Sequence, residues 1–500
     1  MFWYRISTQT RATVLVILMC LPITTYAAPE IDPFFDYGMV IQRGAPTTIW
    51  GTEDKADRVS ASLAGQNREV EVRQNIWKVN FDIPANVSGK QTIEVHSAAG
   101  RTSQQVLVGD VWLCSGQSNM AFPLKRAIDG AKIISSSAGK SIRVFNLNNP
   151  VAKEKAYGNN KWLAPSDPDA KNFSAVCLAF GIALEEKTGV PTGLINASVS
   201  SSWIESWISA ETFKKHPELN PDMDRFEKRT QTLKRKGKFE SLSVMAQPSQ
   251  IFDLMIRPRT SSAIKGVIWY QGEGNRPNAN NYRTLLRALI EDWRTHWRNP
   301  TMPFVVMQLP GFGKRSEFSN ESSWAYIRDA QLQAVKETAR TSLAVTIDLG
   351  DEQLHPKEKS EFGRRAALTA LQLLAATDPS FDSVAPVPEA FSFVGNMARV
   401  TMMNSGGCLK NIGAFSDAFF LAGSDHRWFP AEGRIDGKVI ELKSAMVPRP
   451  VAARYAWADR PIPTLSSCNG IVASPFRSDN WELEEPDQQQ LKRKVWSQHQ

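Results

Sequence analysis

The chain has 500 residues and a formal net charge of +8, with 42% hydrophobic and 22% charged residues. That length exceeds one ordinary core and implies two or three domains, and the composition excludes collagen-like and disordered classes. The basic residues are scattered, and the densest clusters, Lys234–Lys238 and Lys492–Lys494, lack interleaved aromatics. They read as solvated surface or tail rather than a nucleic-acid site, and a weak preference for anionic substrates stays open.

At the N-terminus, Arg5 and Arg11 precede an apolar run, Ala12–Ile23, followed by "TTYAAPE" with small residues suited to cleavage after Ala27 or Ala28. A run of about a dozen residues is too short to span a bilayer and suits a signal peptide. Residues 1–28 are therefore expected to be removed, leaving an exported chain, periplasmic or extracellular, with no membrane span. Export permits disulfides. Cys20 leaves with the signal; Cys114, Cys177, Cys408 and Cys468 remain. Cys408 and Cys468, both in the C-terminal region, are expected to pair, and Cys114, in an apolar strand, reads as a buried thiol. No CxxC pair suggests a zinc ribbon or redox motif.

Residues 29–105 read as short strands: "TTIWG", "VSASLAG", "REVEVRQ", "IWKVNFDI" and "QTIEVHSA" alternate or carry β-branched residues, with Gly, Pro and Asn between them. The pattern predicts a small β-sandwich or jelly roll. Residues 106–384 change character. "VLVGDVWLC", "TGLINAS", "AIKGVIWYQG", "PFVVMQLP" and "SLAVTIDLG" are apolar runs suited to buried strands, and helical patterns separate them. In one of these, Leu286, Leu289, Ile290, Trp293 and Trp297 recur at 3- and 4-residue spacing. Strands alternating with helices predict a parallel sheet covered on both faces, with ligands at the carboxyl ends of the strands. Residues 209–247 read as a charged insertion or cap, residues 385–482 as a second β region, and residues 483–500 as a polar tail.

Ser118, in "VWLCSGQSNMAF", stands where a strand gives way to a helix. There it can be a nucleophile, its hydroxyl exposed beside a helix N-terminus, or simply a helix cap. Met120 occupies the second Gly of a G-x-S-x-G elbow, so the α/β-hydrolase motif is absent. "AGKS" ends like a P-loop, but Ile134 stands where the first Gly is required. A nucleophilic Ser needs a base. Of His96, His216, His296, His355, His426 and His499, only His355 directly follows an apolar strand of the α/β segment, in "VTIDLGDEQLHPKEK". Glu352, three residues earlier, can accept from its Nδ1 and leave Nε2 for the Ser proton, with Asp351 as the alternative; either can instead be surface charge. A third strand end, "GVIWYQGEGN", presents Gln271, Glu273 and Asn275. A fourth, "INASVSSSWIESW", offers backbone N–H groups.

In this order, "VWLCSGQSNM", "IKGVIWYQGEGN" and "IDLGDEQLHPKEKSEFGRRAAL" resemble the sialate O-acetylesterase family of the SGNH hydrolase superfamily. "FFDYGMVIQRGAPTTIWG", "ARYAWADRP" and "ASPFRSD" look like its flanking regions. The resemblance implies a flavodoxin-like three-layer α/β/α hydrolase domain with flanking β-sandwich-like regions. It also implies a serine esterase that releases acetate from O-acetylated sialic acids or related sugars without a metal or organic cofactor. It casts Ser118 as nucleophile, His355 as base and Glu352 as orienting acid, where the superfamily usually has Asp. The Ser200 N–H and the Gln271 amide become oxyanion donors, with Asn275 the alternative amide. Ser200 and Ser201 stand where the family usually has a Gly-Gly pair, and Gly274 where it usually has Ser. The alternatives are an acetylxylan or other carbohydrate acetylesterase, and a secreted glycan-binding protein that has lost catalysis.

Overall fold

The computed structural model describes residues 28–482, except 37, 148–160, 319–320, 376–383, 404–407 and most of 220–246. The expected signal segment, most of the charged insertion and the polar tail thus lie outside the described residues. Seven strands open the described part of the chain: β1 (Glu30–Ile31), β2 (Val40–Gln42), β3 (Ala45–Thr52), β4 (Arg58–Leu63), β5 (Gln66–Glu71), β6 (Ile76–Ile83) and β7 (Gly89–Ser97). Their two-residue alternation decides their faces. In β6 the buried residues are Trp77, Val79, Phe81 and Ile83, and they share a core with Val59, Ala61, Leu63, Ile93 and Val95. β1, β3 and β6 form a three-stranded antiparallel sheet, and β4 pairs with β5 and β7.

β8 (Gly100–Gly116) belongs to two parts of the molecule. Its first residues alternate between exposed and half-buried and pair antiparallel with β7; from Val106 onward every residue is buried. That switch follows the sequence, which passes from "RTSQQ" to "VLVGDVWLC" as the strand leaves a solvated face for a sheet covered on both sides. The domain boundary expected after residue 105 falls inside this strand.

The later half of β8 lies mid-sheet among β9 (Ile142–Asn146), β10 (Trp162–Leu163), β11 (Thr192–Ser198), β12 (Gly266–Tyr270), β13 (Phe304–Met307) and β14 (Thr341–Ala344). The order is β10-β9-β11-β8-β12-β13-β14, parallel except for β10. The α-helices whose bounds are described are α1 (Ser118–Ala121), α2 (Gly130–Ser136), α3 (Ala175–Thr188), α4 (Ala210–Lys215), α5 (Tyr282–His296), α6 (Ser323–Lys336) and α7 (Ser360–Ala375).

Neighbouring residues of one strand point to opposite faces, and this locates the helices. In β12, Trp269 meets Trp293 of α5, ring centroids 5.8 Å apart, whereas Tyr270 stacks on Phe362 of α7 at 6.1 Å. So α5 and α7 lie on opposite faces. α3 shares the face of α7: a Cβ on Gly363 would fall 2.5 Å from the Phe180 nitrogen, so only glycine permits that approach. Trp112 of β8 packs against Phe180 at 5.2 Å, and Cys114, on the same side of β8, is disulfide-bonded to Cys177 of α3. This corrects the expectation of a buried thiol, because an apolar strand does not reveal which helix its cysteine faces. Cys408 is bonded to Cys468. The apolar spacing expected in α5 is buried at Leu286, Leu289, Ile290 and Trp293, while Trp297 just follows the helix and is half-buried.

The C-terminal region holds two four-stranded antiparallel sheets. One is built from Val387–Val394, Met397–Met403, Val439–Lys443 and Glu432–Asp436; the other from Trp428–Pro430, Phe419–Ala422, Ala452–Tyr455 and Phe476–Arg477. Arg328 of α6, wholly buried, fastens this region to the central sheet. Its guanidinium donates to the carbonyls of Leu309 and Pro310 after β13 and to those of Ala458 and Asp459. The Phe312 N–H donates to the Asp459 carbonyl at 3.0 Å, so a C-terminal loop reaches the rim at the carboxyl ends of the strands.

Candidate active site

At the end of β8 the backbone of Gly116 has φ +135°, and a Cβ there would lie 2.0 Å from the Tyr270 carbonyl oxygen. Glycine therefore lets β8 and β12 close together as the chain turns, and the Gln117 N–H donates to that same carbonyl at 3.0 Å. Ser118 follows as the first residue of α1. Gln117, not Ser118, holds the cap position. Ser118 Oγ instead lies 2.8 Å from His355 Nε2, which descends from the loop between β14 and α7. The Phe122 ring lies beside the imidazole, centroids 6.3 Å apart.

A buried polar network beneath this pair joins three loops. Asn119 Nδ2 donates to Glu273 Oε1 at 2.7 Å and to the Leu354 carbonyl at 3.1 Å, and Asn119 Oδ1 accepts from Lys359 Nζ at 2.9 Å. Asn119 thereby links the residue after Ser118 to the residue before His355. Burial raises the Glu273 carboxyl above its ordinary range, and the Asn119 donor opposes that rise. Burial also lowers the Lys359 ammonium to about 7 against the opposing pull of the Glu273, Asp129 and Asp351 charges. The ammonium sits 4.8 Å from the Phe122 ring centroid and 5.1 Å from that of Phe362. Asp129 accepts from the Lys359 and Ser360 backbone N–H groups, at 3.0 and 2.7 Å, and so caps α7 from another loop.

Ser200 lies in the exposed turn after β11, on the strand next to β8. The Val199 N–H donates to the Gly116 carbonyl at 3.0 Å, which ties this turn to the Ser118 corner. The N–H groups of Ser118 and Ser200 donate to nothing among the described residues. Ser201 has φ +60°, a left-handed conformation that suits the glycine usual there in the resembling family.

Gln271 and Glu352 are placed otherwise than expected. The Gln271 amide donates to the Ser202 carbonyl at 3.2 Å and to Asn275 Oδ1 at 2.8 Å, and its oxygen accepts from the Tyr282 hydroxyl at 2.7 Å. Both amide hydrogens are committed, so Gln271 props the rim from within rather than facing an oxyanion. Asn275 is equally enclosed: its amide nitrogen donates to Glu205 at 2.8 Å, and its oxygen accepts from the Ile204 N–H at 3.0 Å. Glu352 is exposed and bonds to nothing among the described residues, and Asp351 accepts from the Gln353 N–H at 2.6 Å. The Glu352 side chain is exposed in the bends at 352–355.

The other described histidines lie elsewhere. His96 is near Glu94, His216 bonds Glu218, His296 bonds Asp292, and His426 stacks on Trp481; His499 is outside the described residues. A cavity of about 600 Å³ between the N-terminal strands and the sheet, lined by Phe34, Trp50, Lys78 and Trp162, contains neither Ser118 nor His355. Sequence reasoning did not single out Asn119, Lys359 or Asp129. Asn119 had a signal in its place beside Ser118; Lys359, in the charged string "PKEKSE", had none separating it from exposed neighbours.

The profile of the family described as carbohydrate esterase, sialic acid-specific acetylesterase, matches residues 108–372. That is more than half of the chain, and it spans Ser118, Glu273, His355 and Lys359. The chain belongs to this family. As a carbohydrate esterase it is a carboxylic ester hydrolase acting on O-acetylated sugars. It is 26% identical to the sialate O-acetylesterase of Homo sapiens over 526 residues, covering 92% of this chain and 96% of that one, and equally identical to the Pongo abelii enzyme over 524 residues. Among solved structures it is similar to a carbohydrate acetylesterase from Xanthomonas citri, with TM-score 0.75 and 31% identity over 91% of this chain and all of the other. Among the esterase's described residues no helix is long and apolar enough to cross a membrane.

Proposed function

We propose that this esterase removes O-acetyl groups from sialic acids or related sugars through an acetyl-enzyme formed on Ser118. The observation that carries the reading is the 2.8 Å contact between Ser118 Oγ and His355 Nε2 at the carboxyl ends of parallel strands. His355 takes the hydroxyl proton as Oγ attacks the acetyl carbonyl carbon. The negative charge that develops on the carbonyl oxygen is met by the Ser118 and Ser200 N–H groups, the first of them at a helix start. As the tetrahedral intermediate collapses, the C–O bond to the sugar breaks and the imidazolium gives its proton to the sugar oxygen, which leaves as a hydroxyl. Water, deprotonated by His355, then attacks the acetyl-enzyme; the bond to Ser118 Oγ breaks, His355 returns the proton to Oγ, and acetate leaves. The arrangement needs the Ser–His pair and backbone donors; no part of it depends on Glu352 or Gln271.

The parallel sheet with helices on both faces supports a flavodoxin-like SGNH hydrolase fold, and the charged, apolar and small-residue order of residues 1–28 supports export. Similarity to a carbohydrate acetylesterase keeps acetylated xylan or another acetylated carbohydrate as a second substrate class. The binding-only alternative is disfavoured by a nucleophile and base already within hydrogen-bond distance. Acetate release from O-acetylated sialic acid and from acetylated xylan by the wild type and Ser118→Ala tests the reading. Acetate release that persists in the variant refutes it; the ratio between the two substrates assigns the class.

A further inference from the structure

On the basis of that reading, we propose that Arg276 receives the carboxylate of an acidic acetylated sugar and makes this site selective for anionic substrates. Arg276 lies two residues past Gly274, whose N–H donates to Gln117 Oε1 at 3.0 Å, beside the nucleophile. Two residues of chain span at most about 7 Å, so the arginine belongs to the same rim as Ser118.

Its environment fixes the guanidinium yet leaves it unused. Nε donates to the Glu273 carbonyl at 3.3 Å, and the guanidinium carbon lies 5.2 Å from the Trp324 ring centroid. An aromatic ring covers the face of a guanidinium and leaves its edge donors free for bidentate pairing with a carboxylate. The terminal nitrogens of Arg276 keep solvent access and donate to nothing among the described residues, and none of the described carboxylates stands within ion-pair distance. Other deeply placed arginines of the same regions are committed: Arg365 to Asp348, Arg454 to Asp479, Arg477 to Asp329, and Arg328 to four carbonyls.

Burial lowers the Arg276 guanidinium from its ordinary range, and the Asp459 and Glu273 charges only partly restore it. Asp459 accepts from the Ser322 hydroxyl at 2.6 Å and stays outside ion-pair distance of Arg276. A largely desolvated cation without a paired anion, on the loop that the Gly274–Gln117 bond ties to the Ser118 corner, is therefore an unfilled anion position. A substrate carboxylate completes it, with the acetyl ester presented to Ser118.

The test compares acetate release from O-acetylated sialic acid and from the same compound with its carboxyl converted to a methyl ester. The wild type is expected to favour the acid by about 10- to 100-fold in kcat/KM, mostly through KM, since one charge-assisted bidentate pair is lost in the ester. Arg276→Gln is expected to bring that ratio to within about twofold of one, and Arg276→Lys to keep part of it. A wild-type ratio near one, or turnover of neutral acetylated sugars only, overturns the proposal without any variant. A ratio unchanged in Arg276→Gln overturns it too. 4-Nitrophenyl acetate separates the two levels of argument, because its hydrolysis depends on Ser118 but offers no carboxylate. If Ser118→Ala keeps that hydrolysis, the esterase mechanism fails; if only the acid-to-ester ratio is flat, the role of Arg276 fails.

Discussion

At the residue scale, the Ser118–His355 contact and the exposure of Glu352 make opposite predictions. Ser118→Ala and His355→Ala each remove a group that acts with the other, and each is expected to lower kcat/KM on the order of 10⁴-fold or more. Glu352→Gln alters a solvated charge that bonds to nothing among the described residues, so kcat/KM should change by less than about threefold. Were Glu352 the orienting acid, the loss would be nearer 10⁴-fold; steady-state acetate release distinguishes the two. Ser201, at φ +60°, occupies a conformation that costs an L-residue roughly 1–2 kcal/mol. Ser201→Gly should relieve that strain at some expense in unfolded-chain entropy, for a net gain of up to about 1 kcal/mol in urea unfolding.

Among the elements, the buried Asn119–Glu273–Lys359 network holds the Ser118 corner, the loop after β12 and the loop before α7 together, and it makes stability depend on pH. Lys359 titrates near 7 in the fold, against about 10.4 in an unfolded chain. Between those values the unfolded chain holds a proton that the folded chain lacks, so this group makes stability rise with pH, by up to about 1.4 kcal/mol per unit. Below 7 both states carry the charge and the whole burial cost is present. Glu273 acts in the reverse sense: its folded carboxyl keeps a proton above the ordinary carboxylate range, so its contribution falls as pH rises through that raised value. Lys359→Met is expected to flatten the rise between pH 7 and pH 10, and denaturant titrations at three pH values would show it; an unchanged slope refutes the assignment. The strands and helices themselves were legible in the sequence because their signals are local. The alternation of β6, the apolar spacing of α5 and the unbroken apolar runs of the central strands each report a face that must be buried. Glu352 and Gln271 were misplaced because side-chain direction within a loop depends on partners from distant segments. Spacing alone could not show that Tyr282 and Ser202 would occupy the Gln271 amide.

For the whole molecule, the C-terminal region is an integral part of the hydrolase. Arg328 holds carbonyls on both sides of the junction, and Gln308 Nε2, at the end of β13, donates to Ser474 Oγ at 2.9 Å. Arg328→Met removes the donors and leaves buried carbonyls unpaired, which should cost about 3 kcal/mol or more in unfolding measurements. Because the Asp459 loop borders Arg276, the same variant is expected to weaken substrate binding before it abolishes the chemistry, seen as a rise in KM ahead of any fall in kcat.

The seventeen residues of β8 carry a consequence for how the molecule comes apart. One end of the strand closes the N-terminal sheet through β7, and the other delivers the nucleophile between β11 and β12. A strand cannot lose half of its partners without exposing an edge ready to pair with other chains. The N-terminal sheet and the catalytic sheet should therefore melt as one cooperative unit, with loss of activity coinciding with loss of N-terminal structure. A chain begun at Gly100 should aggregate rather than survive as a smaller esterase.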